Sequence, residues 1–421
     1  MRLCQVQLGA GAGACACACL LALAGCQSTV DSLGYNETDS TVLHPLAKPA
    51  SYPNAFRDLL GQTDAAISSK INAAFTQLFH GDPSTQAIYV EVGTDQAYIQ
   101  DILHGNEIRT EGMGLGLMVA VELNKIDEFN RLWTYTKSSM IEVPSGSSQG
   151  YFKSFCDPPD AGTPIPCLDP FGLEHFVMAL LLANDRWGST GTINYGADAL
   201  ALFHTMRNKE DDNGGVVDGV TDTFDPTTTL ALDIPDVSAA GVTRPSIEMP
   251  GYYGLWAQAT ADSFWTDAAT AARTLWQAAA NGTTGLMPVR TQFDGTPVPG
   301  SDTYVYEAYR AQINIAIDQI WSGGASSNVT ESNRVLSFFS GQGISTYGTS
   351  YNLDGTVINP AREPSLWVTN GISALVSTNA DRSDYVNVVW TMPTPTGMAR
   401  YYAGIVDLVA LLLLSGQFQV Y

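Results

Sequence analysis

The chain has 421 residues, with 20 Lys and Arg against 42 Asp and Glu, which gives a formal net charge of −22 at pH 7. An acidic surface of this kind repels phosphate backbones. The sequence also contains neither a basic stripe nor an RNA-binding aromatic motif, so nucleic acid is excluded as a partner. Neutral polysaccharide remains compatible, because sugars are held by aromatic stacking and hydrogen bonds. The 18 tyrosines and 8 tryptophans can supply such contacts, although most of them are expected in the core.

Residues 1–25 have the pattern of a secretory leader, in which Arg2 is the only charged residue and an apolar stretch follows. The leader ends in Leu23-Ala24-Gly25-Cys26, which resembles the lipobox of bacterial lipoproteins, where the cysteine is acylated after cleavage. An ordinary secretory signal beside a chance cysteine is the alternative. We predict that residues 26–52 are the lipidated Cys26 and a flexible tether. The protein is then anchored in the bacterial cell envelope and touches the membrane only through its lipid.

Two cysteines remain once the leader is removed and Cys26 carries lipid. Cys156 and Cys167 flank a loop without a helical pattern, and an even pair in an oxidising compartment predicts a disulfide that closes this loop. Two free buried thiols are the alternative. Metal binding by these cysteines is disfavoured, because no histidine lies near them in the sequence.

The sequence from residue 53 to residue 421 is predicted to form one domain built from helices. Neighbouring helical segments are joined by very short connections, and no β-α-β alternation is visible. This pattern predicts an all-α fold, a closed ring of six helical hairpins or (α/α)6 barrel, with rim loops that form a cleft. The longest irregular stretches, 213–236 and 285–302, are candidates for such rim loops or for short hairpins. The predicted helices cover residues 55–79, 112–124, 126–140, 172–186, 195–208, 250–260, 262–280, 307–322, 331–342, 364–378 and 398–415.

A carboxylate stands at the start of an apolar, glycine-dotted helix in the stretch from Thr110 to Ala120. Gly112, Gly114 and Gly116 each weaken a helix by roughly 1 kcal/mol relative to alanine. Their presence therefore predicts that other groups approach the helix backbone closely. Glu111 then lies at the edge of a cavity, although a glutamate at a helix N-terminus also serves as a partner of the helix dipole.

The run from Glu111 to Met118, followed by residues 127–133, resembles the signature of family 8 glycoside hydrolases. Further similar segments lie at residues 174–180, 245–253 and 306–310. The final block, residues 393–416, resembles the branch of the family that releases xylose from the reducing ends of xylo-oligosaccharides. The resemblance covers roughly residues 53–421. It implies an (α/α)6 barrel and hydrolysis with inversion of configuration.

The resemblance also implies roles for individual residues. The family's general acid is the glutamate that matches Glu111, and its base is an aspartate in a Tyr-Asp-Ala-x-Arg motif. That motif here reads Tyr306-Glu307-Ala308-Tyr309-Arg310, so Glu307 is the predicted base. Asp302, Asp169 and Glu248 are the other candidates for the base. The predicted substrate-binding residues are Arg310, Asp169, Glu174, Tyr253, Tyr306 and Tyr401.

The chain departs from the family pattern near the scissile bond. Phe171 stands where the family has a sugar-distorting aspartate, unless Asp169 reaches that place from two residues away. Ile247 and Glu248 replace a tyrosine and a histidine, and Ser154 replaces a tryptophan. The predicted substrate is a xylo-oligosaccharide, with endo-xylanase, endoglucanase or chitosanase activity as alternatives. A non-catalytic glycan-binding lipoprotein is the alternative of a different class.

No cofactor or metal is expected. The five histidines lack metal-ligand spacing, and no phosphate-binding loop occurs. The glycines at 112, 114 and 116 are not flanked by a strand pattern, so they do not indicate a dinucleotide site. We expect a monomer whose partner is its oligosaccharide or polysaccharide substrate.

Overall fold

The computed structural model describes residues 42–141, 146–156 and 168–421. In these ranges the chain forms 13 α-helices and nine short strands. The helices are α1 (Ala55–Leu60), α2 (Asp64–His80), α3 (Thr110–Glu122), α4 (Ile126–Tyr135), α5 (Pro170–Trp187), α6 (Tyr195–Asn213), α7 (Pro250–Thr260), α8 (Phe264–Ala279), α9 (Arg310–Ser322), α10 (Ser326–Gln342), α11 (Pro364–Ser373), α12 (Arg382–Thr391) and α13 (Tyr402–Leu414). The strands are β1 (Tyr89–Val92), β2 (Gln96–Asp101), β3 (Glu107–Arg109), β4 (Phe155–Cys156), β5 (Val242–Thr243), β6 (Thr291–Gln292), β7 (Thr303–Tyr304), β8 (Ser350–Asn352) and β9 (Val357–Asn359).

The helices form two concentric rings. The inner ring contains α3, α5, α7, α9, α11 and α13, and it closes because α13 packs against both α11 and α3. The outer partners are α4, α6, α8, α10, α12 and α2. An inner helix is surrounded by other helices and must be apolar on every side. In α13, for example, every residue from 403 to 414 is buried. The predicted (α/α)6 barrel is confirmed.

Close packing around α3 explains its glycines. A Cβ atom on Gly112 would lie 2.9 Å from the Tyr401 ring, and one on Gly114 would lie 2.7 Å from Cβ of His175. A Cβ atom on Gly116 would lie 2.8 Å from Cγ1 of Ile99. Each distance is shorter than carbon atoms tolerate, so glycine allows α5, α13 and β2 to approach α3 directly. The prediction of a close approach to this backbone is confirmed.

Short strands at the rim of the barrel were not predicted. Strands β1 to β4 form an antiparallel sheet, in which Ile108 of β3 pairs with Cys156 of β4. Strand β3 is followed immediately by the first residue of α3, so this sheet fixes where α3 begins. Strand β7 lies in a second antiparallel sheet with β8 and β9, directly before Tyr306. Strands of two to six residues carry too little periodicity to be recognised in a helical sequence.

Several predicted helix boundaries were wrong. The predicted helix 55–79 is two helices, because Gly61 adopts a left-handed conformation and Thr63 caps α2. The predicted helix 126–140 is α-helical only to Tyr135 and continues as a π-helical turn. Helix α10 begins at Ser326 rather than at residue 331, and α12 was missed.

Residues 42–52 of the predicted tether lie against the domain. Leu46 is buried, and its backbone N–H donates to Asp185. The N–H of His44 donates to the carbonyl of Ala259, and the Tyr52 hydroxyl accepts from the N–H of Val420. The leader, Cys26 and the Cys167 half of the predicted disulfide lie outside the described residues, so lipidation and the disulfide remain predictions. No helix in the described part of the chain combines the length and apolar character needed to cross a membrane.

Two glycines of α7 offer a matched test of the inner-ring packing. A Cβ atom on Gly251 would lie 2.9 Å from backbone atoms of Asp318 in α9, whereas nothing lies within 4 Å of one on Gly254. We expect Gly251→Ala to lower the free energy of unfolding by about 1–3 kcal/mol through overpacking. Gly254→Ala is expected to leave it unchanged or raise it by up to about 1 kcal/mol. Denaturant unfolding of both variants measures the difference, and equal stabilities would contradict the proposed contact between α7 and α9.

Candidate active site

The N-terminal ends of four inner helices place the predicted site residues on one rim of the barrel. Glu111 lies in the first turn of α3, and Asp169 is the N-cap of α5. Glu307 lies in a 3₁₀ turn that leads into Arg310, the first residue of α9. Tyr401 directly precedes α13. Alternate helices of the barrel run in the same direction, so residues far apart in sequence meet here.

The carboxylate of Glu111 is held by Arg310. The distance between Nη2 of Arg310 and Oε2 of Glu111 is 2.5 Å, and both side chains are largely buried. The Arg310 guanidinium lies over the Phe171 ring, 4.4 Å from its centroid, and its Nε donates to the Tyr402 hydroxyl at 3.3 Å. The ring contact and the two hydrogen bonds hold the guanidinium in place, and the guanidinium in turn orients the Glu111 carboxyl.

Burial raises the pKa of Glu111 above its ordinary value, against the opposing effect of Arg310. The negative charges of Asp169 and Glu307 raise this pKa further. The position of Glu111 in the first helical turn favours the ionised form, but burial and the neighbouring carboxylates outweigh it. A carboxyl in this environment is suited to carry a proton near neutral pH.

A second buried arginine, Arg244, joins three carboxylates of the cleft. Its Nη2 donates to Asp169 at 2.7 Å, and its Nε lies 2.7 Å from Oδ1 of Asp233. Its Nη1 lies 3.6 Å from Oε2 of Glu307. Asp233 is shared with Arg290, whose Nε lies 2.7 Å from Oδ2. The cleft therefore contains an alternating network of carboxylates and guanidinium groups.

The surroundings of Glu307 lower its pKa, whereas those of Glu111 raise its pKa. Burial alone would raise the pKa of Glu307, but Arg244 and Arg310 outweigh it, so that this pKa is lowered. The Glu307 side chain is 41% exposed, which leaves its carboxylate open to solvent. Two carboxyls on one rim therefore have pKa values moved apart, which is the arrangement that acid–base chemistry requires.

Asp169 reaches the cluster from its position two residues before Phe171. Its carboxylate accepts from the Phe171 N–H at 3.3 Å and from Arg244, and its charge affects both Glu111 and Glu307. Phe171 itself packs beneath Arg310 and against the His175 ring. Asp169 thus places a carboxylate in the cleft, although Phe171 occupies the helix position at which the family has its aspartate.

The remaining predicted residues lie at different depths. Tyr306 is 49% exposed beside Glu307, whereas Tyr401 is buried against α3. Glu174 and Tyr253 have no solvent exposure and lie below the cleft, where the Tyr253 hydroxyl oxygen lies 3.1 Å from Oε2 of Glu174.

Of the other candidates for the base, Glu248 is fully buried and accepts from the Ala231 N–H and the Thr243 hydroxyl. Asp302 is exposed on the loop after β6.

Three residues of the network were missed by sequence reasoning: Asp233, Arg244 and Arg290. Arg244 directly precedes the Pro245-Ser246 segment that carries part of the family resemblance, and this adjacency was the available signal. Asp233 and Arg290 lie in the rim-loop regions, where the sequence offers no periodicity. In the described residues, no group of three or more His, Cys, Asp or Glu side chains is arranged to hold a metal ion.

Removal of Arg244 is expected to destabilise the fold. Arg244→Met leaves the largely buried Asp169 without its cation and removes one of the two cations at Asp233, so we expect the free energy of unfolding at pH 7 to fall by about 3–5 kcal/mol. Arg290→Met is the control, because the Arg290 side chain is 41% exposed and its ion pair is with the outer carboxylate, Asp233. Its effect should stay below about 1 kcal/mol. Urea denaturation tests both variants, and equal losses would show that Arg244 does not balance the cluster.

The chain is similar to known proteins over most of its length. The model of the glycosyl hydrolases family 8 matches residues 90–416. The reducing-end xylose-releasing exo-oligoxylanase Rex8A of Paenibacillus barcinonensis is 33% identical over 383 residues, covering 88% of this chain and 97% of the relative. Endoglucanase C of Ruminiclostridium cellulolyticum is 23% identical and covers 89% and 77%.

Solved structures extend the similarity to three dimensions. Rex8A complexed with xylose superposes with a TM-score of 0.82 at 31% identity, covering 88% of this chain and 98% of that one. A xylobiose complex of a family 8 protein from Teredinibacter turnerae gives a TM-score of 0.83 at 31% identity, with coverages of 88% and 98%. The chain belongs to family 8 of the glycosyl hydrolases, and it is a glycosidase.

Proposed function

We propose that this glycosidase hydrolyses β-1,4-linked xylo-oligosaccharides with inversion, with Glu111 as general acid and Glu307 as general base. The proposal rests on two carboxyls that lie on the same rim of the barrel, one with a raised pKa and the other with a lowered pKa. The pKa of Glu111 is raised by burial, while that of Glu307 is lowered by two arginines despite burial. An inverting glycosidase needs one protonated and one ionised carboxyl on opposite sides of the scissile bond.

The reaction follows from these protonation states. Glu111 gives its proton to the glycosidic oxygen, and the bond from this oxygen to the anomeric carbon breaks. Glu307 removes a proton from a water molecule, whose oxygen forms a new bond to the anomeric carbon from the opposite face. Arg310, 2.5 Å from the Glu111 carboxyl, stabilises the carboxylate that remains on the acid. Proton exchange with solvent restores both groups.

Neighbouring groups position the sugar. Asp169, fixed by Arg244 and the N-terminus of α5, is the side chain that we assign to a sugar hydroxyl beside the reacting carbon. Tyr306 exposes about half of its surface next to Glu307 and offers a stacking face. Glu174 and Tyr253, predicted as substrate-binding residues, have no exposed surface. We therefore assign them to the support of the site.

The choice of xylo-oligosaccharide rests on the relatives. Those at 33% identity are named reducing-end xylose-releasing exo-oligoxylanases, whereas the endoglucanases lie at 23–28%. Release of xylose from reducing ends is the mode we infer, and internal cleavage of xylan is the second candidate. We place the enzyme in the cell envelope through a lipid on Cys26, a proposal supported by the lipobox-like ending of its leader.

Substitution of the two carboxyls separates catalysis from binding. Glu111→Gln removes the proton donor and is expected to lower kcat for xylohexaose by about 10²–10⁴-fold, while binding measured by calorimetry persists. Glu307→Ala is expected to lose turnover to a similar degree, and azide, which can attack the anomeric carbon in place of water, is expected to restore part of it. Glu107→Gln is the control, since Glu107 also pairs with an arginine, Arg109, just before α3. Undiminished hydrolysis by Glu111→Gln would move the acid role elsewhere, and a fully active Glu307→Ala would move the base to Asp169, Asp302 or Glu248.

Product analysis decides the mode of cleavage. Residues 27–421 are incubated with xylohexaose that carries ¹⁸O at its reducing end, and the products are followed over time by mass spectrometry. We expect labelled xylose to be the first product. A mixture of internal products from the first minutes would establish an endo-acting enzyme instead. Failure to cleave xylohexaose, with cleavage of β-1,4-glucan or chitosan, would overturn the proposed substrate.

A further inference from the structure

Two buried carboxyls below the cleft take no part in the reaction proposed above. Glu174 of α5 and Glu248, two residues before α7, have no exposed surface. In the described part of the chain, neither forms an ion pair with Lys, Arg or His within 4 Å. Both face the hydroxyl of Tyr253, at 3.1 Å from Oε2 of Glu174 and 3.5 Å from Oε2 of Glu248. The Phe224, Trp256 and Trp265 rings surround Tyr253 and keep this region dry.

The number of available protons constrains the charge of this group. The Tyr253 hydroxyl has one proton, yet three oxygens converge on it, because the carbonyl of Ile247 also lies 3.4 Å away. If both carboxyls were ionised, two anions would share a single donor in a medium of low dielectric constant. Burial of both carboxyls and the repulsion between them favour a proton on one of the two near neutral pH. One additional proton must therefore reside in the group.

The hydrogen bonds identify the carboxyl that carries this proton. Oε1 of Glu248 accepts from the Ala231 N–H at 3.1 Å and from the Thr243 hydroxyl at 2.9 Å, as an ionised carboxylate requires. Oε1 of Glu174 has no hydrogen-bond partner within the described residues. An unsatisfied oxygen is far less costly on a neutral acid than on an anion. Glu174 is therefore the acid and Glu248 the carboxylate.

We propose that Glu174, Tyr253 and Glu248 form a proton-sharing acid–carboxylate pair that carries one negative charge and, by holding the Thr243 hydroxyl, positions the next residue, Arg244, and through it Asp169 and Glu307. Glu174 donates to the oxygen of Tyr253, whose hydroxyl donates to Glu248. The positioning role depends on the proposed function, whereas the shared proton does not. The family carries a histidine at position 248 according to the resemblance described above, so a carboxyl pair is a feature of this chain.

Other titratable groups also act on the pair. Asp169 raises the pKa of Glu174 and Arg244 lowers it. Burial, and then the charges of Glu122 and Glu174, raise the pKa of Tyr252 on α7. His175 of α5 is buried, and burial lowers its pKa to about 4, so it is neutral at pH 7. On α9, the neutral amide of Asn314 donates to the backbone carbonyl of Glu248.

The pH dependence has a definite sign. Burial raises the pKa of Glu174 well above its ordinary value, and the charge of Glu248 raises it further. Burial also raises the pKa of Glu248, but the hydrogen bonds from Thr243 and Ala231 oppose this effect. The folded pair thus keeps a proton on Glu174 that the unfolded chain releases near pH 4.5. Its contribution to stability is complete below that pH and is lost as the pH rises through the raised pKa of Glu174. Above this pKa a second anion is buried in the pair, and we expect the position of Arg244 to change with it.

Infrared spectroscopy tests the shared proton directly, whether or not the protein hydrolyses xylan. At pH 7 we expect a carboxylic-acid carbonyl band that Glu174→Gln removes and Glu248→Gln retains. Subtraction of variant from wild-type spectra isolates this band from those of other protonated carboxyls such as Glu111. A wild-type minus Glu174→Gln spectrum with only carboxylate bands would overturn the proposal.

The pH profile of kcat/KM tests the positioning role. In Glu174→Gln only Glu248 can ionise, so the pair cannot gain a second negative charge at alkaline pH. We therefore expect its alkaline limb, normalised to its own maximum, to become less steep than that of the wild type. Tyr253→Phe removes the hydroxyl whose hydrogen bonds lower the pKa of both carboxyls, and it is expected to move the alkaline limb to higher pH. Tyr252→Phe is the matched control, because the Tyr252 hydroxyl makes no hydrogen bond within the described residues. Identical alkaline limbs in wild type and Glu174→Gln would reduce the pair to a structural role.

Discussion

The contact between Arg310 and Glu111 is the interaction on which the site depends. It joins the first residue of α9 to the first turn of α3, two inner helices that do not pack side by side in the barrel. Arg310 lowers the pKa of both Glu111 and Glu307, yet only Glu307 ends below its ordinary value, because Glu111 is more deeply buried and lacks Arg244. Arg310 therefore lowers the pKa of both carboxyls, and Arg244, which acts on Glu307, helps to move the two pKa values apart.

This electrostatic difference requires close packing of the helices that bear the charges. Gly112 admits the Tyr401 ring, and Gly114 admits His175, so that α13 and α5 lie directly against α3. An alanine at either position would push these helices apart, and with them Asp169. Each glycine lowers the stability of an isolated helix by about 1 kcal/mol. In return, the glycines allow three helix ends to approach closely enough for their carboxylates to contact Arg244 and Arg310.

The sequence predicted what depends on local pattern. Helical spacing and short connections predicted the paired helices, and glycines beside a carboxylate predicted a crowded helix start at Glu111. The network around Arg244 could not be predicted in this way, since Asp169 lies 75 residues before Arg244 and Asp233 lies 11 residues before it in an irregular segment, and no periodicity relates them. The sequence also did not show how deeply a residue is buried. Glu174 and Tyr253 lie in segments similar to the family, but they are buried below the cleft rather than exposed in it.

The departures from the family pattern are coupled by the same network. Phe171 removes a carboxylate from the first turn of α5, but its ring supports Arg310, and Asp169 returns the charge from the N-cap position. Arg244 lies 2.7 Å from the Asp169 carboxylate and 3.6 Å from the carboxylate of the longer side chain of Glu307. Both carboxylates depart from the family pattern, and both interact with this one cation. Glu248, which replaces a histidine, adds one negative charge behind that cation, and the proton on Glu174 prevents a second. Asp169, displaced by two residues, and Glu307, longer by one methylene, still meet the guanidinium groups, so these groups rather than the helix positions define where negative charge is held.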